Sequence, residues 1–214
     1  DSTSSTKPVE NYLDDLDKPV KGMRIAVIQE IYDSLTNEEL KKHFDRSLEK
    51  LKEQGIAVDF VKFGVKLLES LYATYMVISC AEATSNDANL DGIKFGEFKG
   101  GKTYQEVMFN ARNKGFSELI KRRFVIGSYC LMSENQEELF LRAQRNRAKI
   151  VETVNSILKD HDFIYVPAAP NVAPTFDAAS DRLSDEYLIV DNHLCLGNFA
   201  GLPSITLPLF FQDG

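Results

Sequence analysis

At 214 residues and 43% hydrophobic content, the chain is long enough to bury a core of its own, which excludes general disorder. A formal net charge of -7 and a sequence isoelectric point near 5.1 exclude a protein coated in basic surface for nucleic acid, because phosphate binding needs clustered Lys and Arg. Cys80, Cys130 and Cys195 lack the Cys-x-x-Cys spacing of a zinc or redox site, and no apolar run approaches the roughly 20 residues that cross a bilayer, so the reading is a reduced, cytoplasmic protein with no membrane span.

Residues 1–21 are polar and acidic around Asp14, Asp15 and Asp17, and read as an extended lead-in to a single domain over 22–214. Residues 23–29 predict the first strand. Thr36 followed by Glu39 is a capping box, and Leu40, Phe44, Leu48 and Leu51 then give one apolar helix face that Gly55 ends. Residues 56–61 predict a second strand, and a strand, helix, strand unit of this kind places the chain in the α/β class.

A long helix is expected over 65–86. Asp91-Gly92 with Gly96, Gly100 and Gly101 then opens a loop, and Thr103 restarts a helix. Further helices are expected over 117–132 and, behind the box from Ser133 to Gln136, over 134–159 with Ile150, Val154 and Ile157 on one face. A short strand at 163–166 stops at Pro167 and Pro170. A helix over 184–199 and a strand at 205–207 complete the series. The chain opens without methionine and closes on Asp213-Gly214, a preferred hairpin turn, which predicts a piece truncated at both ends with its returning strand missing.

Residues 96–103, Gly-Glu-Phe-Lys-Gly-Gly-Lys-Thr, match the P-loop pattern, in which backbone amides cradle phosphates, Lys102 reaches them and Thr103 holds magnesium. That chemistry needs a buried strand in front of the loop, and Asp91-Gly-Ile-Lys-Phe95 is too short and polar to be one. His193 and Cys195 lie two apart beside Asp191, a spacing that turns helical side chains in different directions and opposes a thiolate pair. No Gly-x-Ser-x-Gly elbow occurs, so the chain shows no nucleophile of its own.

Residues 99–150 hold eleven Lys and Arg against five Glu. Arg142, Arg145 and Lys149 at spacings of three and four suit a solvated helix side. Lys121-Arg122-Arg123 differs, because Leu119, Ile120, Phe124, Val125 and Ile126 surround it and at least one cation must point inward. A partly buried arginine calls for an anionic partner or ligand.

Several pieces in order resemble the amidase signature family, in its branch of glutamine-hydrolysing amidotransferase subunits. They are Gly22-Met-Arg-Ile-Ala-Val27, Tyr75 to Asn86 with Ala81-Glu82-Ala83, Asp91-Gly-Ile-Lys-Phe-Gly96, Gly115-Phe116 followed by Lys121-Arg-Arg123, Ala143-Gln144 to Arg147, Pro167-Ala-Ala-Pro170, and Asn198-Phe-Ala-Gly-Leu-Pro203. The resemblance implies a partial amidase-signature fold, a mixed sheet flanked by helices. It also implies amide hydrolysis by a Ser-Ser-Lys set that lies upstream of the matched part, so this piece is expected to hold no catalytic residue and to be inactive alone. Tyr75, Arg123 and Asp191 fall where the family's glutamine contacts fall. Those types suit a zwitterion, since a guanidinium forks onto its carboxylate and a carboxylate takes its ammonium.

The resemblance further implies B and C partner subunits, with glutamyl-tRNA engaged mainly through B and with ATP and magnesium used there, and no cofactor in this piece. Asn89, Leu90, Ala168 and the segment from Glu134 to Phe140 depart from the family's pattern. The alternatives are a stand-alone amidase of the same family, a P-loop nucleotide protein using residues 96–103, and a non-catalytic module that binds tRNA or a protein through its basic helices.

Overall fold

The computed structural model describes residues 4–170 and 192–211. Its sheet has strands β1, Arg24–Ile28, β2, Ala57–Val61, and β3, Phe163–Ile164, in the order β2-β1-β3. Both pairings are parallel, with Ile25 opposite Val58 and Phe163, so an antiparallel member that would make the sheet mixed is not among the described residues. Alternation along β1 sets the two layers. Ala26 and Ile28 face one core with Leu71, Ile150, Val154, Leu196 and Phe199, while Val27 faces another with Phe44 and Leu48. A central strand covered on both sides is the reason that Ile25 to Ile28 of β1 form an unbroken apolar run.

The second layer is α2, Glu38–Glu53, which follows the short α1, Gln29–Asp33. Leu40, Phe44 and Leu48 are buried on one face of α2, as their spacing predicts. Its cap differs from the capping box expected at Thr36. Asn37 accepts from the amides of Glu39 and Leu40, at 3.1 and 3.0 Å, and so takes the position one residue later.

The first layer is built from helices. The helix expected over 65–86 is two, α3 at Val65–Glu69 and α4 at Leu71–Asn86. Ser70 interrupts them, with its hydroxyl turned back onto the Leu67 carbonyl and its oxygen accepting from Asn146 at 2.8 Å. Next come α5, Tyr104–Gly115, and α6, Glu118–Leu131, capped by Thr103 and Ser117. The helix expected from 134 starts late. A π-type turn at Glu137–Leu141 precedes α7, Arg142–Leu158, and the Ser133 hydroxyl bonds Glu134 instead of an amide, so no box forms. A 3₁₀ turn, Asn192–Leu194, leads into α8, Cys195–Ala200.

The strand expected at 205–207 is not formed. Residues 202–211 run without sheet hydrogen bonds, and Ile205 and Leu207 are 81% and 66% exposed, because no strand pairs with them among the described residues. The lead-in is exposed throughout residues 4–22 and holds one 3₁₀ turn, at Tyr12–Asp15.

Candidate functional site

The crossing of α4 and α6 depends on one small residue. A Cβ at Gly127 would meet the Cys80 carbonyl oxygen at 2.1 Å and the Thr84 hydroxyl at 2.2 Å, so the two helices approach this closely only through glycine. Thr84 fixes the same contact by donating to the Cys80 carbonyl at 2.8 Å and lying 3.4 Å from the Phe124 carbonyl. Gly127 thereby sets where Arg123, one turn earlier on α6, lies against α4.

The basic triplet divides as its amphipathic surroundings predict. Lys121 reaches outward to Glu118 at 2.7 Å and to Asn113 at 3.3 Å, and Arg122 is exposed. Arg123 is half-buried, and its Nε is buried with no hydrogen-bond partner among the described residues. A guanidinium nitrogen left in that state carries the full cost of its lost water. The Arg123 charge also reaches Cys80: burial pushes that thiol's pKa up, and the guanidinium opposes the shift.

Tyr75 lies on α4 and packs partly buried against the first core, with its ring 6.4 Å from that of Phe199 on α8. Tyr75 and Arg123 therefore stand on two helices packed together, with different neighbours. Asp191 lies outside the described residues. The turn that follows it, Asn192–Leu194, packs on α4.

Two surface grooves lie elsewhere. One of about 340 Å³ runs between α5 and α6 past Met108, Phe109, Arg112, Phe116 and Phe124. The other, about 420 Å³, is lined by the charged side chains of α2. Neither is lined by Tyr75 or Arg123.

Residues 96–103 do not form a P-loop. Helix α4 and a 3₁₀ turn, Asp87–Asn89, precede the loop where a nucleotide site needs a strand. The start of α5 is also occupied: Glu106 accepts from the Lys102 amide at 2.7 Å, while Thr103 accepts from the Glu106 amide at 3.2 Å. Thr103 thus caps the helix while Glu106 holds the amide just before the cap, so a carboxylate of the chain itself takes an amide that a P-loop would turn toward phosphate.

The His193 and Cys195 pair is likewise structural. His193 Nε2 lies 2.6 Å from the Pro167 carbonyl oxygen. Burial pushes the Cys195 thiol up to about 11, far from a reactive thiolate. Among the described residues no group of His, Cys, Asp and Glu could hold a metal ion. Arg142 and Arg145 pair with Glu138 and Glu137 at 3.7 and 3.0 Å on the solvated side of the long helix, away from the half-buried Arg123.

Sequence patterns had not singled out the side chains that hold the site together. Arg112 donates to the carbonyls of Asp87 and Leu90 at 2.8 and 3.3 Å, and its guanidinium lies 5.2 and 5.0 Å from the rings of Phe116 and Phe124. It ties the end of α4 to α5 and α6. Arg147 donates to the Phe199 carbonyl, and Asn146 to the hydroxyls of Ser70 and Thr74, so α7 holds both α8 and the start of α4. The available signal was that the stretch from Ala143-Gln144 to Arg147 is one of the pieces that carry the family resemblance.

A parallel sheet between helical layers, with an inward arginine near a glycine crossing, defines an α/β frame. The amidase family profile matches residues 1–214, and the chain belongs to that family. The A subunit of the glutamyl-tRNA(Gln) amidotransferase of Thermotoga maritima is 34% identical to it over 213 residues, with 100% of this chain and 44% of that one covered. Its counterpart from Campylobacter concisus is 33% identical over 215 residues, with 100% and 46% covered. The crystal structure of the Thermotoga maritima protein superposes with a TM-score of 0.65 at 30% identity, over 93% of this chain and 38% of that one. A bacterial aryl acylamidase of the amidase signature family shares the fold at a TM-score of 0.62 and 14% identity, over 92% of this chain and 39% of that one. The chain spans a little under half the length of the curated relatives it matches.

Proposed function

We propose that these residues form part of a glutamine-hydrolysing amidotransferase subunit, one that releases ammonia for converting glutamyl-tRNA(Gln) to glutaminyl-tRNA(Gln). The observation that carries this reading is the whole-chain kinship to the A subunits of amidotransferases, at 34% identity in sequence and at 30% in structural superposition, where the aryl acylamidase gives 14%. In this reading the piece positions substrate. Arg123 takes the glutamine α-carboxylate with donors that include its unpartnered Nε, Asp191 takes the ammonium, and Tyr75 lines the same cleft.

Hydrolysis needs an acyl-accepting nucleophile, and the Ser-Ser-Lys set is assigned to the part of the family's chain upstream of these residues. ATP, magnesium and most tRNA contact belong to the B subunit, with a C subunit joining the two. The discriminating experiment compares ammonia release from glutamine with release from simple aryl amides, using the complete polypeptide assembled with its partner subunits. Preference for glutamine, with transfer to glutamyl-tRNA, supports the proposal. Hydrolysis of aryl amides without any tRNA-linked transfer favours a stand-alone amidase. The 214-residue chain by itself should release no ammonia above the buffer rate.

A further inference from the structure

Helix α8 has six residues, too few to hold its shape alone, and it is fastened at both ends. Just before its start, His193 Nε2 lies 2.6 Å from the Pro167 carbonyl oxygen. At its end, Arg147 of α7 donates through Nε and Nη2 to the Phe199 carbonyl, at 3.3 and 3.2 Å. That carbonyl is among the last four of the helix, which find no partner within it, and a cation suits the negative end of the helix dipole. Phe199 is 6% exposed, so the guanidinium fixes the place of a buried ring.

That ring packs beside Tyr75, with centroids 6.4 Å apart and planes tilted by 51°. The backbone of Tyr75 is held separately, through the residue before it. The Asn146 side-chain amide donates to the hydroxyls of Thr74 and Ser70, at 2.8 Å each, and Ser70 gives its own hydrogen to the Leu67 carbonyl at 2.7 Å. With Thr74 pinned in this way, the freedom left to Tyr75 is rotation of its side chain, and the Phe199 ring limits that rotation.

We infer that Arg147 is a positioning residue for glutamine, acting through Phe199 on Tyr75. This rests on the reading of Tyr75 as a wall of the glutamine cleft. Loss of the two Arg147 bonds frees the last turn of α8, and with it the ring that sets Tyr75. In that reading Tyr75 lines the cleft without taking part in bond breaking, so its displacement weakens the ground state and the transition state alike and raises KM at unchanged kcat.

The test uses the complete amidotransferase assembled with its partner subunits and measures glutamine hydrolysis. Arg147→Ala is expected to raise KM for glutamine roughly 3- to 30-fold, within the range for coupled neighbours, and Arg147→Lys, which keeps a cation for the same carbonyl, should recover part of the loss. The deciding readout repeats the substitution in a Tyr75→Leu background. If Arg147 acts through Tyr75, it has no further effect on KM there, whereas a general loosening of the fold adds in full. Equal effects in both backgrounds would overturn the inference, as would an unchanged KM in Arg147→Ala. Arg145→Ala, which breaks only a solvated pair with Glu137, should leave KM where it is, and a rise equal to that of Arg147→Ala would also count against the inference. Should Arg147→Ala fail to fold, Arg147→Lys carries the same comparison. Tyr75→Leu alone separates the two levels: if it leaves KM for glutamine unmoved, the reading of Tyr75 fails and the inference with it; if it raises KM while Arg147→Ala does not, only the role of Arg147 fails.

Discussion

The sheet and the α4–α6 helices are held together by different physics. Around the sheet, Ala26, Val27 and Ile28 are at most 1% exposed, and Phe44, Ile150 and Val154 seal both faces equally well. Around α5 and α6, Phe109, Val125 and Tyr129 are 68%, 71% and 56% exposed, and cohesion comes from a few specific devices: the Gly127 crossing, the Thr84 bridge and the Arg112 clamp. Apolar burial is non-directional and spread over many residues, so the sheet region has no single essential contact of that kind. The helical region has several, and the candidate site is located there.

The sharpest break of the comparison is in the sheet region. Phe44 is 1% exposed and stacks on Tyr165 with ring centroids 5.0 Å apart. Phe44→Ala should cost about 3–5 kcal/mol, the range for a buried aromatic truncation, and should appear as a uniform loss in denaturant unfolding followed by far-UV circular dichroism. A cost under about 1 kcal/mol would show that α2 is not part of the cooperative core.

Gly127→Ala attacks the other region. The added methyl meets backbone as well as side chain, so the helices must separate, at a cost of about 3 kcal/mol, the upper end of ordinary overpacking. Its local signature separates it from Phe44→Ala: amide exchange should accelerate along α4 and α6 before the sheet opens. If the sheet amides accelerate equally, the two regions are one cooperative unit and the contrast fails.

How much was legible follows the same division. The apolar face of α2 and the Ile150, Val154 and Ile157 stripe were readable because periodicity reports burial directly. Local polar chemistry was read less well. Asn37 outcompeted Thr36 for the cap, and Ser70 split a helix because a hydroxyl bond within the chain is reinforced by Asn146, 76 positions away. That at least one cation of the triplet points inward was readable from the apolar residues around it, while the choice of Arg123 came from the family resemblance. The need for glycine at 127 was not, since it depends on the Cys80 carbonyl, which only the folded crossing brings near. Asp191, the third predicted site residue, lies outside the described residues.

A smaller effect sharpens the contrast at the Arg112 clamp. Arg112→Ala removes two charge-assisted bonds to the carbonyls at the end of α4 and two ring contacts. The expected loss is about 2 kcal/mol. Limited proteolysis within residues 87–103 should accelerate while cleavage in the sheet region does not. Arg112→Lys should recover little, because a point charge cannot reach both carbonyls and stack at the same time. Full recovery with lysine would reduce the clamp to simple charge.

The smallest expected effect tests whether the sheet region also relies on a polar device. Glu30 follows β1 and accepts from the amide of Phe63 at 3.2 and 3.1 Å and from that of Gly64 at 2.9 Å, tying the end of β1 to the chain leaving β2. Gly64 holds φ at +109°, a conformation that other residues avoid. Burial alone would raise the Glu30 pKa, but the Gly64 and Phe63 amides outweigh it and leave the carboxyl below its ordinary value of 4.5. A carboxyl whose folded pKa is depressed stabilises the fold fully above the unfolded value and loses that contribution as pH falls through the folded one. Glu30→Gln should therefore cost about 1 kcal/mol near neutrality, since the amide oxygen still accepts but without charge. The gap between the two proteins should then close as pH drops below about 4.5. Chemical denaturation of both at about pH 7 and about pH 3 measures it. A gap that is constant or widens toward acid would mean that the Glu30 carboxylate is not what secures the junction.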